Sequence, residues 1–168
     1  PEALARVCAA LSTAEAHWGH SDSRLLPAMH AKAELLFQMH RTSEALAVNS
    51  RVLDIGWRSA AFDKGVMNPA IPLTNHGKML HELGRHPEAL QHTLDALTFN
   101  ENKYGKKSRS VAIALFNHAE SLDKLGHTSE AVELLDRCLD IYANEEQPVV
   151  AQVLAVRAKY LCYLGRAR

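Results

Sequence analysis

The chain has 168 residues, of which 47% are hydrophobic and 23% charged, with 19 basic and 19 acidic side chains and so no formal net charge. That composition suits one compact domain or a short solenoid and excludes a disordered chain. Neutrality removes any general attraction to nucleic acid or to anionic membrane. No apolar run approaches the roughly 20 residues of a membrane span, and Pro1-Glu2-Ala3-Leu4 carries no secretion signal. The N-terminus also lacks an initiator Met, and the sequence reads as a piece of a longer chain.

The predicted elements are eight helices, at about 2–18, 24–39, 43–59, 69–83, 87–103, 109–125, 129–144 and 148–164. No segment alternates with a period of two, so no sheet is expected. The helices come in repeating pairs. Arg41-Thr42-Ser43-Glu44-Ala45-Leu46 returns as Arg85-His86-Pro87-Glu88-Ala89-Leu90 and as His127-Thr128-Ser129-Glu130-Ala131-Val132, with Glu2-Ala3-Leu4 as a shortened copy. The alanines stand 42 to 44 residues apart. A second phrase lies upstream, at Gly77 to Gly84, Ala119 to Gly126 and Ala158 to Gly165, and Ala33 to His40 repeats it with His in place of the last Gly. A period in this range marks a stack of supersecondary units.

Each unit has a readable physical logic. Leu73, Leu80 and Leu83 share a helical face, as do Leu115, Leu122 and Leu125. Gly84, Gly126 and Gly165 follow, where a left-handed helix cap favours glycine. Thr42 and Thr128 are candidate N-caps. Small residues Ala33, Gly77, Ala119 and Ala158 meet Ala45, Ala89 and Ala131, which allows close helix packing. Trp18 and Trp57, with Phe99 and Tyr142, are expected in the inter-repeat core. Cys8, Cys138 and Cys162 are too far apart for a zinc motif or disulfide framework, and read as small buried hydrophobes in a reducing, cytoplasmic compartment.

These phrases resemble tetratricopeptide repeats, whose unit has a small residue in helix A, Gly at the turn and Ala early in helix B. The long period, with Ala96-Leu97, Glu101-Asn102-Lys103-Tyr104-Gly105, Ser108 and Val111-Ala112, is similar to the kinesin light chain class. The resemblance implies an all-α, right-handed superhelical solenoid of antiparallel helix pairs, with a concave groove lined by the A helices. Its boundaries here are a truncated repeat over 1–23, repeats over 24–65, 66–107 and 108–146, and a terminal A helix over 147–168. It implies a protein-binding scaffold rather than an enzyme. Helix A of that class commonly reads Leu-Asn-Asn-Leu-Ala, and its asparagines can bind peptide backbone. The matching residues are Leu73-Thr74-Asn75-His76-Gly77 and Leu115-Phe116-Asn117-His118-Ala119, which keep the second Asn. The outer units, at Met29 to Ala33 and Leu154 to Ala158, keep none.

The expected groove is therefore built on Asn75, Asn117, Thr74, Lys78, His81, Phe116, Glu120, Asp123, Lys124, Lys159 and Tyr163. In the preceding unit His30, Glu34, Phe37 and Gln38 share that face. Its charges alternate through Glu34, Lys78, Glu120 and Lys159, which favours a mixed-charge partner over a carboxylate clamp. Ten histidines occur, and His76 and His118 are expected to be partly exposed in the groove. No metal-ligand spacing, phosphate loop or nucleophile motif is present, so no metal, cofactor or catalytic residue is expected. Lys103, Lys106, Lys107 and Arg109 read as a solvated basic loop, not a nucleic-acid site. The last helix, Val149 to Leu164, is apolar on more than one side, so self-association through the terminal helices is the alternative role.

Overall fold

The computed structural model describes residues 2–143 and 148–166. Among the described residues there are eight α-helices and no strand: α1 (Glu2–Trp18), α2 (Leu26–Gln38), α3 (Thr42–Arg58), α4 (Ala70–Glu82), α5 (His86–Tyr104), α6 (Arg109–Lys124), α7 (Thr128–Ile141) and α8 (Pro148–Arg166). They fall into two compact units, 1–85 and 86–168.

In the first unit the chain enters α2 through a 3-10 turn at Ser23–Leu25, where a continuous helix from 24 was expected. Asp22 causes this. Its carboxylate accepts from the Arg24 amide at 2.8 Å and from the Arg24 guanidinium, closing a tight local turn before α2 begins. The core forms where α1, α2 and α3 meet, on Leu11, Leu26, Met29, Val52 and Ile55. Ala33 and Ala45 are fully buried there, so α2 and α3 approach without intervening bulk.

The hairpin turns obey one rule. The amides of Arg41, Arg85 and His127 reach back five residues to the carbonyls of Leu36, Leu80 and Leu122, at 2.9, 2.8 and 3.0 Å. That closure needs a left-handed residue before it, supplied by His40, Gly84 and Gly126 at φ 56°, 75° and 84°. Gly165 departs from the rule, because α8 runs through it to Arg166.

Thr42 and Thr128 do not cap. Each is the first residue of its helix, behind Arg41 and His127, which make no side-chain cap bond. Their hydroxyls instead donate to Glu82 and Asp123, both at 2.9 Å, tying each B helix to a carboxylate on an A helix. In the second unit the core runs through Leu97, Val111, Leu115, Leu135 and Val153, with Ala119 and Ala131 fully buried. Ser108 caps α6 by accepting from the Val111 amide at 3.4 Å.

Three burial expectations are corrected. Trp18 and Trp57 are exposed, not core, and Trp57 lies edge-on to Phe62, which takes the buried place. Arg24 covers the Trp18 ring at 4.5 Å. Tyr142 is buried, as expected, while Phe99 is half-buried. Of the cysteines only Cys138 is buried; Cys8 is half-buried and Cys162 exposed. Last, His76 and His118 are buried rather than partly exposed, each against the preceding B helix.

Candidate functional site

The buried histidines are held by polar residues of α3 and α5. In the first unit Asn49 donates through Nδ2 to the Pro72 carbonyl at 2.8 Å, and the same amide nitrogen stands 3.1 Å from His76 Nδ1. In the second, Thr93 Oγ1 is 3.0 Å from His118 Nδ1. Burial lowers the His118 pKa, with Glu130 opposing, so the ring is neutral at pH 7. These contacts make His76 and His118 packing residues, which removes them from a solvent-facing surface.

The open face of the first unit lies between α2 and α4. Glu34, Phe37 and Gln38 from α2 and Asn75, Lys78 and Met79 from α4 line a cavity of about 170 Å³. Asn75 is half-buried and donates to the exposed Glu34 at Oε1 over 3.4 Å, a long bond at the surface. Glu34 also lies 3.6 Å from His30 Nε2. Lys78 is exposed, and Phe37 presents a half-buried ring. The site thus combines an acid, a base, two amides and an apolar surface. Thr74 and His81 sit half-buried on α4, outside the residues that line the cavity. Glu34, Phe37 and Gln38 complete the lining; helical spacing places them on this face, but no class motif marks them.

The second unit arranges its predicted residues differently. Asn117 is buried, and its Nδ2 donates to the Ile113 carbonyl of its own helix at 2.8 Å. Phe116 is half-buried against the core. Asp123 accepts from Thr128 and bonds the Tyr160 hydroxyl; burial first, then this carboxylate, pushes the Tyr160 phenol pKa up. Glu120 is half-buried and Lys124 exposed. On α8 the Lys159 ammonium lies 5.5 Å from the centre of the exposed Tyr163 ring.

A second cavity, of about 420 Å³, is lined by Lys106, Lys107, Arg137, Asp140 and Ile141. Arg137 is paired there with Glu101. Lys103 instead lies over the Phe99 and Tyr104 rings, at 5.3 and 5.8 Å from their centres. Among the described residues no three of His, Cys, Asp and Glu gather as a metal site, and no helix is long and apolar enough to cross a membrane.

Helical hairpins closed by one turn rule, with small residues at their crossings, define a helical-repeat fold. Residues 69–144 match the tetratricopeptide repeat family, and the fold is that of kinesin light chain-like tetratricopeptide arrays. Two structures of a Podosopora anserina kinesin light chain-type protein of nearly identical TPR-like repeats, one of them a variant, superpose with TM-scores of 0.78 and 0.67. They share 16% and 20% identity over 98% and 84% of this chain, and 78% and 66% of theirs. BtubC (BKLC) from P. vanneervenii gives a TM-score of 0.68 at 16% identity over 90% of this chain and 61% of its own. At these identities the likeness is one of fold. No curated protein matches the sequence.

Proposed function

We propose that the chain is a protein-interaction scaffold that binds an extended, mixed-charge peptide segment on the α2–α4 face of its first unit. Tetratricopeptide repeats generally mediate protein–protein contacts, and this fold is typically non-enzymatic. The observation that carries the reading is the lining of that face: Glu34 and Lys78 of opposite charge, the amides of Asn75 and Gln38, and Phe37 as an apolar anchor. An amide side chain offers both a donor and an acceptor, as an extended backbone requires. The Asn75–Glu34 bond is long and exposed, so exchanging it for a ligand bond costs little. The predicted residues of the second unit enter as a further surface on Glu120, Lys124, Lys159 and Tyr163. Asn117 would first have to leave the Ile113 carbonyl.

Selection of a random peptide library on the purified chain tests this. Enriched peptides carry both charges and an apolar residue, and Asn75→Ala or Lys78→Glu weakens them about tenfold, the size of one lost hydrogen bond. Peptides that bind both variants as tightly as the parent chain defeat the proposal.

A further inference from the structure

Phe62 follows Ala45, the buried alanine of its B helix, by the same 17 residues as Lys106 follows Ala89. The loop after α3 turns an apolar ring inward at that place and buries it over the Gly56 backbone. The loop after α5 has an exposed lysine there instead, followed by a second exposed lysine, Lys107. A charged ammonium does not enter an apolar interior. Beside these lysines the second unit keeps a cavity of about 420 Å³.

The rest of the lining comes from α7, where Arg137, Asp140 and Ile141 share one side of the helix. The volume is that of a site for a small ligand or a few side chains. Its charges are unequally engaged. Arg137 is tied to Glu101, so that pair joins α5 to α7 and adds no net charge. Lys103 lies over the Phe99 and Tyr104 rings. Lys106 and Lys107 make no ion pair with a carboxylate among the described residues. The cavity therefore sets two uncommitted ammonium groups against one further carboxylate, Asp140, beside the half-buried side chain of Ile141.

We propose that this cavity docks an acidic peptide segment of a partner protein, with a carboxylate between Lys106 and Lys107 and a neighbouring apolar side chain against Ile141. Charge complementarity sets the sign of the partner. Two lysines with a carboxylate in the same wall are too short a positive track for a nucleic acid, which needs a run of phosphate contacts. The chain's zero formal charge adds no wider field. The site lies in the second unit and does not rest on the α2–α4 reading, which depends on Lys78.

The test is fluorescence polarisation of a short labelled peptide of leucine and glutamate, titrated with the full 168-residue chain. Three variants are compared: Lys106→Glu with Lys107→Glu, Asp140→Asn, and Lys78→Glu. Both loop lysines are exposed, and circular dichroism checks that the double variant keeps its helices. The parent chain binds the peptide, and glutamine in place of glutamate weakens it about tenfold or more. The double variant weakens it by a similar factor. Asp140→Asn, which removes the opposing carboxylate, tightens it about twofold. Lys78→Glu leaves it unchanged. No binding by the parent chain, binding that the double variant keeps, or a loss in Lys78→Glu alone overturns the proposal. Tighter binding of a short oligothymidylate than of the peptide, removed by the same double variant, would make the cavity a nucleic-acid site and overturns it as well.

Discussion

The Phe62 ring closes over the backbone of Gly56, so near that a Cβ added there would stand 2.6 Å from Cε1 and nearer still to Cζ and Cε2. Phe62 lies in the turn after α3 and is almost wholly buried, with Trp57 edge-on to it at 4.7 Å between ring centres. Gly56→Ala must push the ring out of its place. It should destabilise the chain by about 1–3 kcal/mol, the usual cost of overpacking. Denaturant unfolding measures it, and a stability equal to the parent's would show that the ring can move without loss.

The hairpin crossings give a second prediction. Ala45 and Ala131 are fully buried against α2 and α6. Leucine at either position should cost about 1–3 kcal/mol, because a close helix crossing has no room for three more carbons. Leucine at exposed Ala158 should cost nothing measurable. Thermal unfolding of the three variants would contradict the register if all lost stability alike.

Much of this was legible in sequence because repetition supplies its own check. A recurring Glu-Ala-Leu and a recurring cap at one period located all the helix pairs, and His40 in the glycine place shows how firmly the left-handed cap is held. What sequence hid was the direction of polar side chains. His76 and His118 stand where the class has Leu, and that position is an interior one. They keep it because Asn49 and Thr93, on the preceding helices, supply polar partners. Asn75 and Asn117 match in sequence, yet one reaches Glu34 on a neighbouring helix and the other its own backbone at Ile113. Trp57 follows the apolar period, but Phe62, from outside the helix, occupies the space it was expected to fill.

The cysteines should separate by reactivity. Cys138 donates its thiol to the Ala112 carbonyl at 3.2 Å, and burial pushes its pKa up to about 11. Cys162 is exposed. A thiol reagent at pH 8 should label Cys162 quickly, Cys8 more slowly and Cys138 only after unfolding. Mass spectrometry of the digested native protein reads this directly, and native labelling of Cys138 as fast as Cys162 would contradict its burial.

His118 makes stability depend on pH in a definite direction. Its folded pKa lies below the unfolded value of about 6.5. The unfolded chain therefore takes up the proton first as pH falls. The stability is fully present above that value and is lost as pH drops through it toward the lower folded pKa. His92, lowered chiefly by burial, acts in the same sense. His118→Gln should lose less stability than the parent between pH 7.5 and about 5.5, with the His92 part remaining. Urea titrations at the two pH values check it; an equal loss in both proteins would assign the dependence elsewhere.

Nitrogen-15 NMR titration with a selected mixed-charge peptide tests most directly whether the α2–α4 face is where a peptide sits. The side-chain amides of Asn75 and Gln38, which line that cavity with Lys78, and the backbone amides around Glu34 and Lys78, should shift first and most. Lys78→Glu should move the midpoint of those shifts to about tenfold higher peptide concentration while leaving the rest of the spectrum in place. Shifts confined to residues outside α2 and α4, or a saturable set that Lys78→Glu leaves unchanged, would contradict it.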